Sequence, residues 1–298
     1  MADQAETLRE IMKNKNAAPE AETADGVERS ENRTRILAIA SGKGGVGKTN
    51  VSTNLAIAYA QMGKKIILVD ADLGQAGVNV ILGIIPKYNL YHLMRKQKSM
   101  NDIIMDTNYG IRIVAGASGF AKIANLTEEE RGNLVSEFSK LSDADVIIFD
   151  TGAGISNNVT SFVEAADDAL IVTTPEATAV TGAYNIIKTI ATSQAQKEQN
   201  LKLIVNRVKS VTEGTKVSQR IITIASQFLN VKVDYLGWVF EDIAVQNGVR
   251  RQKPFMIEDP KGKASICMRH LVSRLEGVEY RSGSGIGNFM RRLLGGSS

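Results

Sequence analysis

The chain is poor in cysteine and in long apolar runs. Its single cysteine, Cys267, rules out an internal disulfide and fits a reducing cytosol. No C-x-x-C motif is present, which argues against a cluster held by paired thiolates. No apolar run is long enough to span a membrane, and the first residues lack the apolar stretch of a secretion signal.

The net charge and the length of the chain are compatible with many functions. A net charge of +4 permits an anionic partner without requiring one. No dense basic run is present, so we expect no specific nucleic-acid partner. With 298 residues and 43% hydrophobic residues, the chain is long enough for one large α/β domain with short appendages.

The most specific motif is a phosphate loop. The pattern G-x-x-x-x-G-K-[ST] runs from Gly42 to Thr49, between an apolar strand at 35–40 and a helical pattern at 51–62. The glycines let backbone N–H groups face phosphate, and the helix N-terminus adds positive charge. Lys48 is predicted to reach the β- and γ-phosphates, and Thr49 to hold Mg²⁺. The predicted nucleotide-binding residues of this segment are Gly44, Gly45, Val46, Gly47, Lys48, Thr49 and Asn50.

Short apolar runs and helical patterns alternate along the rest of the chain. This order predicts a P-loop NTPase of the α/β class, with a doubly wound, mainly parallel sheet flanked by helices. Further strands are predicted at 65–69, 111–114, 146–149, 169–172, 201–205 and 231–239, and helices at 127–141, 177–192 and 261–275.

Carboxylates follow two of these strands. Asp70 and Asp72 end the strand at 65–69, and Asp150 ends the strand at 146–149. A carboxylate at the carboxyl end of a parallel strand is placed to hold the water shell of Mg²⁺. Asp150 is therefore predicted to serve the metal. The alternative for Asp70 and Asp72 is a turn or capping role.

The loop Lys43–Thr49 resembles the deviant phosphate loop of the MinD/ParA family of ATPases. That resemblance implies that Lys43 crosses an ATP-dependent dimer interface to the partner's nucleotide. It also implies that Asp72 positions the attacking water, that Asp70 supports the metal site, and that Asn206 binds adenine. A solvated loop lysine and a plain turn asparagine remain the alternatives. The chain departs from the family pattern at 75–77. It departs again at 177–182, where relatives carry a proline at position 177 and an aspartate at the end of the run. These departures put the details of the dimer and adaptor faces in doubt.

The start of the chain resembles one branch of that family. Residues 3–9 match the D-Q-A-x-x-L-R activation motif of FlhG, a MinD-like ATPase that sets flagellar number and placement. The matching residues are Asp3, Gln4, Ala5, Leu8 and Arg9. The resemblance implies stimulation of FlhF, a GTPase of the signal-recognition-particle type. A terminal helix without this role is the alternative.

Near the other end, apolar residues recur at helical spacing. The stripe consists of Ile286, Phe289, Met290, Leu293 and Leu294, with arginines beside it. It resembles the membrane-targeting helix of MinD and FlhG, so we expect marginal affinity for an anionic inner-membrane surface, strengthened in a dimer. Docking on the chain's own core is the alternative.

Together these features predict a mobile arm at 1–34, an ATPase domain at 35–278, a link at 279–285 and a membrane helix at 286–295. The predicted function is a cytoplasmic, peripherally membrane-bound ATPase that uses ATP and Mg²⁺ to regulate flagella. Flagellar C-ring proteins or a transcription regulator are further expected partners. A ParA/MinD-type positioning ATPase for DNA or the division machinery, or an antagonist of a flagellar transcription activator, is the alternative.

Overall fold

A computed structural model describes residues 34–72, 77–116, 133, 136–192 and 200–278. The activation motif at 3–9, the link at 279–285 and the membrane stripe at 286–295 lie outside these residues. So do residues 127–132 of the helix predicted at 127–141. Of its remainder, residues 136–139 are helical and Leu141 lies in a turn, so the predicted helix extends too far.

Eight strands form one sheet in the order β3-β4-β2-β5-β1-β6-β7-β8. All neighbouring pairs are parallel except β3 and β4, which confirms the predicted fold class. The strands are β1 (Arg35–Ser41), β2 (Ile66–Ala71), β3 (Ile104–Asp106), β4 (Arg112–Val114), β5 (Val146–Ala153), β6 (Asp168–Thr173), β7 (Leu201–Val208) and β8 (Val233–Phe240).

Helices cover both faces of the sheet because its central strands are apolar on both sides. In β1, Leu37 and Ile39 join one buried cluster, whereas Ala38 and Ala40 join the cluster on the opposite face. The helices are α1 (Lys48–Gln61), α2 (Val78–Leu82), α3 (Leu90–Met94), α4 (Met100–Ile103), α5 (Asn157–Ala165), α6 (Ala177–Thr192), α7 (Val211–Leu229), α8 (Ile243–Arg251), α9 (Phe255–Glu258) and α10 (Lys263–Leu275). Helices α1 and α10 supply residues to the first cluster, and α5, α6 and α7 to the second.

The sequence patterns missed several elements. The longest is α7, whose buried residues are Gly214, Ser218, Ile221 and Ala225. The apolar residues Val217, Ile221, Ile222, Ala225 and Leu229 recur at helical spacing and pack on the second cluster. The periodicity was therefore present in the sequence and was overlooked. Strand β3 has three residues, none of them buried. Smaller errors concern the ends of elements: β4 begins at Arg112, β8 at Val233 and α10 at Lys263. The strand predicted at 146–149 continues past Asp150 to Ala153, and the one predicted at 201–205 continues to Val208. No helix in the described part of the chain is long and apolar enough to cross a membrane.

Candidate nucleotide site

The phosphate loop joins β1 to α1 and depends on close backbone contacts. Gly45 and Gly47 have φ values of 80° and 90°, a left-handed conformation that side chains disfavour. At Gly42, a Cβ atom would lie 1.8 Å from the carbonyl oxygen of Gly182 in α6. Gly42 is therefore needed for contact with α6, while Gly45 and Gly47 shape the turn itself.

Lys48 and Asp150 form a buried ion pair under the loop. Lys48 Nζ lies 2.8 Å from Asp150 Oδ1, and the two side chains are 6% and 0% exposed. Within the described residues, Asp150 Oδ2 is buried without a hydrogen-bond partner. A buried carboxylate oxygen with a free lone pair fits the water shell of Mg²⁺. No group of three or more His, Cys, Asp or Glu side chains that could hold a metal ion occurs among these residues.

Asp70 lies at the end of β2, beside β5, where it pairs in register with Asp150. It is 1% exposed. Its oxygens accept hydrogen bonds from the backbone N–H groups of Asp72 and Val78, at 3.1 and 3.3 Å. Burial, followed by repulsion from Asp150, raises the pKa of Asp70 to about 7. This carboxyl group therefore changes charge close to neutral pH.

Replacing Asp70 by Asn should stabilise the nucleotide-free and magnesium-free protein at high pH. The folded state keeps the proton of Asp70 up to a pKa of about 7, whereas an unfolded Asp loses it near pH 4. The folded state binds more protons between these values, so the free energy of unfolding falls as pH rises through that window. At pH 8 we expect Asp70→Asn to gain on the order of 2 kcal/mol over wild type, with the gain shrinking toward pH 5.

Urea unfolding at pH 5 and pH 8 measures this difference. Asp106→Asn is the control because Asp106 is an exposed carboxylate on β3, and it should show no pH-dependent gain. A gain for Asp70→Asn of equal size at both pH values would contradict the prediction.

Asp72 follows β2 and faces the turn after β5. It lines a cavity of about 220 Å³ together with Thr151, Gly152, Ser156 and Phe162. A Cβ atom at Gly152 would lie 3.7 Å from Asp72 Oδ1. The carboxylate thus lies in a small space between the ends of two strands, and its role with the attacking water remains a prediction.

Lys43 lies at the exposed rim of the loop and contacts its own chain. Its Nζ lies 3.0 Å from Glu176 Oε2 and 2.7 Å from Thr178 Oγ1. The side chains of Lys43 and Glu176 are 41% and 60% exposed, so their ion pair is weak. The lysine is therefore held near α6 by contacts that another negative group could replace.

Asn206 lies at the end of β7 and contacts the phosphate loop. Its Nδ2 donates a hydrogen bond of 2.8 Å to the carbonyl oxygen of Val46, across 160 residues of sequence. Asn206 and Asn50 also line a cavity of about 550 Å³ with Gly47 and Arg207. The Val46 contact is a role that the resemblance did not imply, while adenine binding remains a prediction.

Several residues of the site were missed in the sequence. Glu176 and Thr178 hold Lys43, and Gly182 receives the phosphate loop. Gly116 follows β4, where a Cβ atom would lie 2.6 Å from the carbonyl oxygen of Asp70. One signal could have found Glu176: like Asp70 and Asp150, it follows an apolar strand at the carboxyl edge of a parallel sheet.

Comparison with known proteins shows which family this chain resembles. A family model described as an AAA domain matches residues 34–203. The antiactivator FleN of Pseudomonas aeruginosa is 35% identical over 243 residues, which cover 81% of this chain and 86% of FleN. The flagellum site-determining protein YlxH of Helicobacter pylori is 33% identical over 272 residues, covering 89% of this chain and 91% of YlxH. The MinC:MinD cell division protein complex of Aquifex aeolicus superposes with a TM-score of 0.66 at 25% identity, covering 84% of this chain and 99% of that chain.

The parallel sheet, the phosphate loop and the carboxylates at the ends of β2 and β5 define a P-loop nucleoside triphosphatase. The comparisons make it an ATPase of the MinD/ParA type. Within that family, the chain belongs to the FlhG group, which includes FleN and YlxH.

Proposed function

We propose that this chain is an ATP-dependent dimerising ATPase that regulates flagellar number and placement. The observation that carries the proposal is Lys43: a second cation on the phosphate loop, held at the exposed rim by Glu176 and Thr178. In a dimer that encloses two nucleotides, Lys43 would neutralise charge developing on the partner's γ-phosphoryl oxygens. The names of FleN and YlxH support the flagellar assignment.

The bound group would be ATP with Mg²⁺. Residues 44–50 of the phosphate loop, including Lys48, would hold the phosphates. Adenine would lie on the side of Asn206. Thr49 and Asp150 would serve the metal, with Asp70 in support. The unpartnered buried Oδ2 of Asp150 supports this assignment. Mg²⁺ would supply charge neutralisation at the phosphates, while Asp72 would orient the attacking water.

We further propose that the chain is cytoplasmic and associates peripherally with the inner face of the cell membrane. The apolar stripe at 286–294 would enter an anionic bilayer surface. One such helix binds weakly, and two helices on a dimer gain by effective concentration. Membrane binding would therefore follow the ATP state.

A peptide of residues 1–20 should stimulate the GTPase activity of an FlhF-like partner. Gln4 carries an uncharged amide that can orient water, as glutamine does in GTPases, and Arg9 can stabilise phosphoryl charge or pair with a carboxylate. We expect Gln4→Ala in the full chain to reduce the stimulation severalfold, and to leave the chain's own ATP turnover unchanged, because residue 4 is not among the proposed ATP-site residues.

Steady-state GTP hydrolysis with and without the peptide measures this effect. A truncated chain that starts at residue 25 serves as the counterpart of the peptide and should not stimulate. Full stimulation by the truncated chain would assign the activity to the ATPase domain and contradict a role for the arm.

A second candidate function is antagonism of a flagellar transcription activator, without a need for turnover. The observation that favours it is the 35% identity to a protein named antiactivator. ATP turnover by the dimer in the presence of lipid separates the two candidates: turnover supports the ATP-driven regulator, and nucleotide binding without turnover supports the antagonist.

A further inference from the structure

A basic segment lies between α2 and α4. Residues 84–98 contain four Lys or Arg residues and no Asp or Glu. Their summed charge equals the net charge of +4 of the whole chain. Six side chains of this segment together are called the basic–aromatic patch. Ile85, Lys87, Tyr91 and Arg95 are exposed, and Tyr88 and Lys98 are partly buried.

The cations of the patch converge on its two tyrosines. Lys87 Nζ and Lys98 Nζ lie 5.3 and 4.4 Å from the ring centroid of Tyr88. Arg95 Cζ lies 5.3 Å from the ring centroid of Tyr91. The ring of His92 connects the two groups, because its centroid lies 5.3 Å from that of Tyr88 and 6.0 Å from that of Tyr91. The patch is therefore one continuous surface.

Among the described residues, no ion pair involves Lys87, Arg95 or Lys98. Asp102, the next acidic residue along the chain, accepts hydrogen bonds from Ser99. It also lies close enough to Lys98 for the lysine to help lower the pKa of Asp102. Lys87 and Arg95 are thus available to an anionic surface, and the charge of Lys98 is partly offset by Asp102.

The patch also carries exposed apolar area. Ile85 is 94% exposed in the segment between α2 and α3, and Tyr91, on α3, is 42% exposed. Helix α3 is anchored because its residues Leu90 and Leu93 are buried in the cluster beside β2 and β4. Asn89 caps its N-terminus and accepts a hydrogen bond from the Tyr91 N–H. Tyr91 is therefore presented by an anchored helix, with Ile85 in the segment that leads into it.

We propose that the basic–aromatic patch is a second contact site for anionic lipid headgroups, a proposal that rests on the membrane association proposed above. The cations would meet headgroup phosphates, the tyrosines would lie at headgroup level, and Ile85 would enter the acyl boundary. Single-stranded nucleic acid fits less well, because its bases stack on free aromatic rings and Tyr88 already has two ammonium groups near its ring. Base stacking also does not explain why Ile85 is exposed. An acidic protein would account for the cations of the patch but not for the exposed Ile85, so binding of such a protein is treated as one outcome of the test.

The energetics explain why a second site is useful. One short amphipathic helix gives marginal, reversible membrane binding, and stable attachment takes two signals, such as an apolar anchor and a polybasic patch. The charge contribution falls off within the Debye length, about 8 Å at physiological salt. Binding through the patch should therefore be sensitive to salt and require anionic lipid, unlike the apolar part of the anchor.

The test is vesicle sedimentation of the full chain with ATP, using phosphatidylcholine vesicles with and without phosphatidylglycerol. We expect the triple variant Lys87→Gln, Arg95→Gln, Lys98→Gln to bind anionic vesicles roughly tenfold to a hundredfold more weakly at low salt, with ATP binding unchanged. The matched control is Lys216→Gln, Arg220→Gln, Lys232→Gln, which removes the same charge from other exposed positions and should keep most of the binding. Ile85→Ser should weaken binding at any salt concentration, whereas Phe228→Ser, at a position 74% exposed on α7, should not.

Each outcome is informative about one site. Equal losses in the two triple variants would show that only net charge matters and would overturn the proposal, as would an unchanged patch variant. If the patch variant keeps vesicle binding and loses a protein partner instead, the patch is a protein-docking surface and the lipid proposal is wrong. Phe289→Glu separates the two membrane contacts. If Phe289→Glu keeps vesicle binding while the patch variant loses it, the C-terminal helix is not an anchor and the patch proposal is supported. If Phe289→Glu loses vesicle binding while the patch variant keeps it, the patch proposal is wrong and the C-terminal anchor is supported.

Discussion

Lys43→Ala is expected to abolish ATP-dependent dimerisation or to lower ATP turnover by about a hundredfold to a thousandfold, in the range of removing one charge from a transition state. Nucleotide affinity should stay within about threefold of wild type, because Lys48 and the loop backbone are retained. Among the described residues, the Lys43 ammonium contacts the exposed groups Glu176 and Thr178 of its own chain. We therefore expect its contribution to turnover to appear in the dimer.

Light scattering or analytical ultracentrifugation with ATP and with ADP, together with phosphate release, measures this prediction. Glu176→Gln is the matched variant because it removes the carboxylate partner but keeps Lys43, and it should still dimerise with ATP. A Lys43→Ala protein that dimerises and hydrolyses ATP normally would show that this lysine is only a solvated loop residue.

Asp72→Ala is expected to lower turnover by about a hundredfold or more, with ATP affinity within about threefold of wild type. A carboxylate that orients water acts mainly in the transition state, so its loss appears in turnover and not in binding. The location supports this reading, because Asp72 lines the small cavity with Thr151, Gly152 and Phe162, whereas Lys48 pairs with Asp150.

Single-turnover hydrolysis and fluorescent-nucleotide binding separate the two effects. Asp106→Ala, an exposed carboxylate on β3, is the control and should change neither. A large loss of ATP affinity with little change in turnover would instead make Asp72 a structural residue or part of the magnesium shell.

The features that depend on residues adjacent in the sequence could be predicted. The phosphate loop at 42–49 lies within one strand–turn–helix unit, and in β2 and β5 an apolar run of four residues is followed by an aspartate, Asp70 or Asp150. Their order predicted a mainly parallel sheet, because alternation of strands and helices leaves few topologies. Helix α7 also had a local signal that was overlooked, because Val217, Ile221, Ala225 and Leu229 recur at helical spacing after the N-cap Ser210. The burial of Gly214 and Ser218 in the same helix could not be predicted, because tertiary packing decides which small and polar residues are covered.

The sequence by itself determined the class of chemistry, that of an ATPase with a phosphate loop and a second lysine on that loop, and it predicted carboxylates for a metal and for water. Only the tertiary structure decided how these groups are held. Gly42 contacts Gly182, Lys43 pairs with Glu176 across 133 residues, and Asn206 bonds Val46 across 160 residues. Local motifs depend on backbone conformation between neighbours, which a short sequence specifies. Contacts between distant residues depend on which strands lie side by side, and a parallel sheet sets that order only when the whole chain has folded.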